Sequence, residues 1–307
     1  MRILAHIHTF NDADIIDRTI AAVRRQSRPV DEILIVDNAS ADATLAQPGI
    51  RGTTVLRHPE NRGTSGAVHS GFRYALEHRY DLIWVFDADS IPEPDALEKL
   101  LQLYASFPPS LQQETAFLAC LPRDLGGGDP QFGGMFTARG LGGGTPVAEQ
   151  RHYPCHFVIW SGCLYRLAAV REIGLPDPNY VLDWGEGEYG YRVMKAGYKG
   201  FVHQDAALHH NIRGHPSLTP TEFKLGPLRL TLFEFPPIRC YYTCRNILYF
   251  ALYVYKEGRM RYLRGVSWWL YGFPLRFLVR PWRHRRHIGA CLRGLWHGLS
   301  GNIAARY

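Results

Sequence analysis

The chain has 307 residues, 46% of them hydrophobic, and a formal charge of +7. That length allows one main domain plus an extension, and the composition suits a cytosolic enzyme with free thiols. The six cysteines (Cys120, Cys155, Cys163, Cys240, Cys244 and Cys291) include no CxxC pair, which argues against a zinc knuckle; Cys240 and Cys244, four apart, suit one helix face. The apolar start is too short for a leader peptide, and no nucleic-acid-binding signature accompanies the basic charge.

Arg2 to His8 reads as a first strand, and Thr9-Phe10-Asn11-Asp12 as a turn with good N-cap residues. Ile15, Ile16, Ile20, Ala21 and Val23 follow at near-helical spacing, and Pro29 lies beyond that helix. Glu32 to Val36 is a second strand, ending in Asp37-Asn38-Ala39-Ser40, and Thr54 to Arg57 a short third. Asn61-Arg62-Gly63-Thr64-Ser65-Gly66 leads into a helix from near Ala67 to Glu77. The apolar run Leu82 to Phe86 reads as a buried fourth strand, with Asp87-Ala88-Asp89 at its carboxyl end. Side chains two apart on an extended chain point the same way, so both carboxylates can converge on one hard cation, Mg²⁺ or Mn²⁺. Alternating strands and helices predict an α/β fold with a largely parallel, doubly wound sheet, whose strand carboxyl ends are the usual ligand side.

Beyond the fourth strand, Gly126-Gly127-Gly128, Gly133-Gly134 and Gly142-Gly143-Gly144 lack a phosphate-loop lysine and read as a mobile loop beside a ligand site, or as an irregular connection. Ser161-Gly162 precedes a helix expected over Leu164 to Val170. Phe201-Val202-His203-Gln204-Asp205-Ala206-Ala207-Leu208 leads to His209-His210; of two neighbours on a strand, one faces inward. His203 and His215 read as structural or solvent-facing. From residue 259 onward the chain is rich in Arg, Trp and Leu. Its apolar stretch, Val266 to Val279, is broken by Pro274 and Arg276 and is too short for a span. Trp268, Trp269, Phe273 and Phe277 beside Arg280, Arg283, Arg285 and Arg286 suit an anionic membrane surface. The alternative is packing within the protein, or a contact between copies in a homo-oligomer.

Thr9-Phe10-Asn11, Val36-Asp37-Asn38-Ala39-Ser40, Asn61-Arg62-Gly63 and Asp87-Ala88-Asp89 resemble, in order and spacing, the successive motifs of family 2 glycosyltransferases, which have the GT-A fold. The resemblance covers residues 1–250 and leaves 251–307 as a helical, membrane-surface extension. It implies a nucleotide-diphosphate sugar donor held by Thr9, Asn11, Asp37, Asn61, Gly63 and Asp87, with a cation on Asp87, Asp89 and one of His209 and His210. Leu182-Asp183-Trp184-Gly185-Glu186-Gly187-Glu188-Tyr189-Gly190-Tyr191-Arg192 is similar to the segment that carries the family's catalytic base. The register puts the base on Glu186, where Asp is usual; Glu188, which could instead pair with Arg192, is the alternative, and Asp183 a third. Tyr241-Tyr242-Thr243-Cys244-Arg245-Asn246 resembles rhamnosyl- and galactofuranosyltransferase-like members, with Arg245 as a diphosphate clamp and the tyrosines as substrate contacts or core. The reaction implied is direct displacement with inversion onto a hydroxyl of a glycan or lipid-linked acceptor. A sugar nucleotidyltransferase would carry a basic Gly-rich first loop, unlike Thr9 to Asp12; a non-catalytic carbohydrate-binding protein would not need all of Asp87, Asp89 and Glu186.

Overall fold

The computed structural model describes residues 1–124, 133–137, 140–143, 150–210, 219–225, 228–256, 259–265 and 285–307. Gly126 to Gly128, Gly144, His215 and the Trp268 to Arg283 cluster lie outside the described residues. The chain separates into two compact units. The first comprises Met1–Phe136, Gly142–Val181 and Gly185–Gly214; the second comprises Thr137–Leu141, Leu182–Trp184 and His215–Tyr307.

The first unit is built on strands β1 (Ile3–Thr9), β2 (Glu32–Asp37), β3 (Thr54–Arg57), β4 (Leu82–Asp87), β5 (Ile91–Pro92) and β6 (Thr115–Asp124). β7 (Gly134–Thr137) and β8 (Gly140–Gly143) form a separate ribbon, while β9 (His152–Cys155), β10 (Cys163–Arg166) and β11 (Lys199–His210) rejoin the main sheet. The order is β3-β2-β1-β4-β10-β6-β11-β5, with β9 also on β11. The first four strands are parallel, as the alternation predicts. β10 then runs antiparallel between β4 and β6. This corrects the helix expected from Leu164: Cys163, Leu164 and Tyr165 are all buried in a strand, and the helix starts at Leu167. A short apolar run does not distinguish the two forms by periodicity.

Helices α1 (Ile16–Arg24), α2 (Gly63–Glu77), α3 (Ala96–Ser106), α4 (Pro109–Glu114), α5 (Leu167–Ile173) and α6 (Gly185–Lys195) complete the unit. Two apolar cores result. Ile3, Ala5, Ile7, Ile33 and Ile35 pack with Ile16, Ile20 and Val23 of α1 and Leu97 and Leu100 of α3. Leu4, Leu34, Val36, Ile83 and Val85 pack with Val68 and Phe72 of α2. Alternate residues of one strand thus face opposite helical layers, the pattern of a doubly wound sheet.

Two local details differ from expectation. Asp12 does not cap α1 with its side chain; its carboxylate accepts from Thr9 Oγ1 (2.8 Å) and the Phe10 amide (2.9 Å), and its carbonyl from Ile15 and Ile16. α2 begins four residues early, because Gly63 takes φ +70° and Asn61 Oδ1 accepts its amide at 2.8 Å. A Cβ at Gly63 would stand 2.3 Å from the Val181 carbonyl oxygen. Gly63→Ala is therefore expected to destabilise the chain by more than about 1 kcal/mol, through strain added to an overlap with backbone. A urea midpoint equal to that of the unsubstituted chain would contradict this.

The second unit holds the paired strands β12 (Thr219–Leu225) and β13 (Leu228–Glu234), with α7 (Pro237–Tyr249), α8 (Arg259–Gly265) and α9 (Arg285–Leu299). α7 packs closely on α9: a Cβ at Gly294 would lie 2.4 Å from the Tyr241 carbonyl oxygen. Cys240, Cys244 and Cys291 are buried between these helices, and all six thiols are free.

Candidate active site

The carboxyl end of β4 gathers side chains that could hold a metal ion. Asp87 is the last strand residue, whereas Ala88 and Asp89 already form a turn. The two carboxylates therefore converge through a turn rather than by strand alternation. His210, the last residue of β11, joins them: one ligand atom from each of Asp87, Asp89 and His210 lies within 4.8 Å of the others. The ring of His210 is fixed by Ser90 Oγ at 2.7 Å from Nδ1, and Nδ1 lies 3.8 Å from Asp87 Oδ2. His209 points elsewhere, its Nε2 2.6 Å from Glu93 Oε1. The strand alternation thus separates the two histidines, and the metal assignment of His209 finds no place in this cluster.

Burial opposes the charge of Asp87, but His8, and behind it His210 and His6, hold its carboxyl down to about 2. It is ionised throughout the neutral range. Two carboxylates and an imidazole form a donor set that fits Mg²⁺ or Mn²⁺. His8 was missed by sequence reading. Its Nε2 lies 2.5 Å from Asp87 Oδ1, because the parallel register of β1 and β4 sets His8 opposite Asp87. Ser161 Oγ accepts the Asp87 amide at 3.0 Å.

The loops after β1 and β2 lie next along the sheet, with Thr9 in register with Asp37. Asp37 is fully buried; its carboxylate accepts the Ser40 amide at 3.2 Å and pairs with Arg57 Nε at 3.2 Å. Asn11, at φ +58°, donates its amide to Ser40 Oγ (2.9 Å) and accepts the Ala41 amide on Oδ1 (2.8 Å). Asn38 Nδ2 donates to the Gly63 carbonyl at 3.1 Å, tying the β2 loop to the start of α2. Thr9, Asn11, Asp37, Asn61 and Gly63 are thus part of one connected set of loops at the strand ends.

Glu186 and Glu188 both fall in the first turn of α6. Glu188 is buried and committed to Arg192, with Nε–Oε1 at 2.7 Å and Nη2–Oε2 at 3.2 Å. Burial raises its pKa, while Arg192 pulls the other way. Glu186 is half-buried. Just upstream, Val181, Asp183 and Trp184 all take φ between +51° and +69°, a conformation that costs non-glycine residues about 1–3 kcal/mol each. In the second unit α7 supplies what holds Asp183 and its neighbours. Arg239 Nη2 and Nε meet the Asp183 carboxylate at 3.0 and 3.1 Å, and Thr243 Oγ1 donates to it at 2.7 Å. Asn246 Nδ2 donates to the Leu182 and Asp183 carbonyls at 2.7 and 2.8 Å. The spacing 239, 243, 246 lies on one helix face, a signal present in the sequence.

Arg245 lies in the interior of the second unit, fully buried. Its Nε and Nη2 donate to Asn246 Oδ1 at 2.9 and 2.7 Å, and its Nη1 to the Ala305 carbonyl. Tyr241 and Tyr242 are buried beside it, the Arg245 guanidinium lying 4.7 Å from the Tyr242 ring centre.

Among known proteins, the undecaprenyl-phosphate mannosyltransferase of Micrococcus luteus is 34% identical over 107 residues, 33% of this chain and 44% of that protein. The chain thus spans less than half the length of that relative. The galactofuranosyltransferase GlfT1 of Mycobacterium tuberculosis is 23% identical over 278 residues, 88% of each chain. The solved mannosyltransferase from Pyrobaculum calidifontis, in complex with GDP-Man and Mn²⁺, superposes with a TM-score of 0.54 at 12% identity, over 97% of this chain and 87% of that one. That likeness is one of fold, and the fold is GT-A. The family model described as Glycosyl transferase family 2 matches residues 5–174, more than half of the sequence. With that match spanning β1 to β4 and the loops at their carboxyl ends, the chain belongs to glycosyl transferase family 2.

Proposed function

We propose that this glycosyltransferase moves a sugar from a nucleotide-diphosphate sugar to a hydroxyl of a glycan or lipid-linked acceptor, with inversion. The observation that carries the reading is the convergence of Asp87, Asp89 and His210 at the strand ends of a GT-A sheet, beside the Thr9–Asn11 and Asp37–Ser40 loops. Those loops hold the nucleoside, and Asp87, Asp89 and His210 hold Mg²⁺ or Mn²⁺. A bound cation offsets the charge that develops on the departing diphosphate. The acceptor oxygen forms its bond to the anomeric carbon as the bond to diphosphate breaks, and the hydroxyl proton passes to Glu186. Glu188, committed to Arg192, keeps α6 in place. Arg245, occupied inside the second unit, is left out of the donor set. A donor screen that measures nucleoside diphosphate release tests the reading. Release of pyrophosphate from a nucleoside triphosphate instead would identify a nucleotidyltransferase, and no turnover with any donor would favour a binding protein.

A membrane surface is the proposed setting. Among the described residues no helix is long and apolar enough to cross a bilayer. Residues 259–307 contain ten arginines and no acidic residue, so the excess positive charge of the chain resides there. On α9, Leu292, Trp296 and Leu299 are 61%, 66% and 54% exposed at helical spacing, next to the exposed Arg285, Arg286 and Arg293. Each such arginine contributes about 1 kcal/mol near an anionic surface. The chain is expected to sediment with phosphatidylserine vesicles and not with neutral ones, and Leu292→Gln with Trp296→Gln to weaken this about tenfold. Equal, negligible sedimentation with both vesicles rejects the surface contact.

A further inference from the structure

β1 turns Ile3, Ala5 and Ile7 to one helical layer and Leu4, His6 and His8 to the other. Two imidazoles thus stand where hydrocarbon would pack, and both are buried, at 0% and 6% exposure. An unsatisfied buried polar group costs about 1–3 kcal/mol, so rings kept there require a reason. Among the described residues, His6 has no hydrogen-bond partner on either nitrogen. It presses against α2 at Gly71, where a Cβ would come within 2.6 Å of its Nδ1, and it stacks on His8 with ring centres 5.6 Å apart. His8 Nδ1 also lacks a partner among the described residues. The pair reaches the site through His8 Nε2, which lies 2.5 Å from Asp87 Oδ1. The other carboxylate oxygen, Oδ2, is the one 3.8 Å from His210 Nδ1.

We infer that His8 is a positioning residue: it holds Oδ1 of Asp87 from the protein side so that the carboxylate presents Oδ2 to the group formed with Asp89 and His210. His6, wedged on Gly71, is the wall that fixes the His8 ring. The inference rests on the reading that Asp87, Asp89 and His210 hold a divalent cation. Partners that orient a metal-binding side chain typically contribute 10–100-fold in affinity.

The test is Mn²⁺ affinity, read from the electron paramagnetic resonance of free Mn²⁺ titrated into the full chain, with and without UDP or GDP. His8→Leu is expected to weaken binding 10–100-fold with folding intact by circular dichroism. His8→Gln sets an amide N–H near the place of Nε2 and is expected to restore most of the affinity; His8→Asn is too short and is not. Should His8→Leu fail to fold, the contrast between Gln and Asn decides. Equal affinity in all variants, while Asp89→Ala loses binding, overturns the role of His8 alone. Absence of saturable Mn²⁺ binding by the unsubstituted chain, with or without nucleotide, overturns the cation reading and this inference with it.

Discussion

Asp89→Ala is expected to lower turnover by about three orders of magnitude or more while leaving the chain folded. Asp89 sits in the turn after β4, partly exposed, so its loss removes no core contact; substitutions at such positions usually change stability by less than about 0.5 kcal/mol. What it removes is one of the two carboxylates of the Asp87–Asp89–His210 cluster. A cation at a departing diphosphate supplies several kcal/mol, and each 1.4 kcal/mol is about a factor of ten in rate. Nucleoside diphosphate release and the melting temperature, measured together, check both halves of the expectation. Full turnover in the presence of a chelator, or in the Asp89→Ala chain, would remove the cation from the mechanism.

Glu186→Gln should retain donor affinity and lose transfer by about 10²–10⁴-fold, because an amide cannot take the acceptor proton at neutral pH. The isosteric change at Glu188 should do something different. Its bidentate contact with Arg192 is largely buried, and Arg192 in turn donates to the Ile173 and Leu175 carbonyls at 3.2 and 2.9 Å. Glu188→Gln leaves that guanidinium without its counter-charge, so the expected result is lost stability, up to about 3 kcal/mol, with a smaller fall in rate for the chain that remains folded. Rate and donor affinity for both variants, beside a denaturation curve, separate the roles. A near-normal rate in Glu186→Gln with a dead but stable Glu188→Gln would transfer the base to Glu188.

The sequence exposes the parallel half of the sheet and hides its centre. β1 to β4 are legible because each is a run of apolar residues ended by polar, turn-forming ones, and because α1 carries a 3.6-residue pattern. β10 is not legible: four residues between Gly162 and Leu167 gain their strand form only from neighbours at residues 82–84 and 117–119. The same distinction runs through the site. The pair Asp87 and Asp89 is local and visible, and the choice between His209 and His210 reduces to strand alternation once β11 is known to end there. His8 and Ser161 reach Asp87 only through inter-strand register, which no local pattern reports. Arg245 reads as a clamp because arginine suits diphosphate; that the second unit encloses it depends on Ala305, sixty residues away.

The antiparallel insertion of β10 also bears on the order in which the protein can assemble. β4 pairs with β1 on one side and with β10 on the other. A nascent chain that has emerged only as far as β9 can complete the three-layer arrangement of β1, β2 and β3 with α1 and α2, but its fourth strand keeps one edge open. Bringing β10 to that edge closes a loop from residue 87 to residue 163, and the entropy of such long closures makes non-local pairing slow. Throughout that interval the strand that ends in Asp87 presents unpaired amides and carbonyls along Trp84, Ile83 and Leu82, a ready template for another chain. Asp87, a proposed cation ligand, is thus carried, during synthesis, by a strand with an open edge.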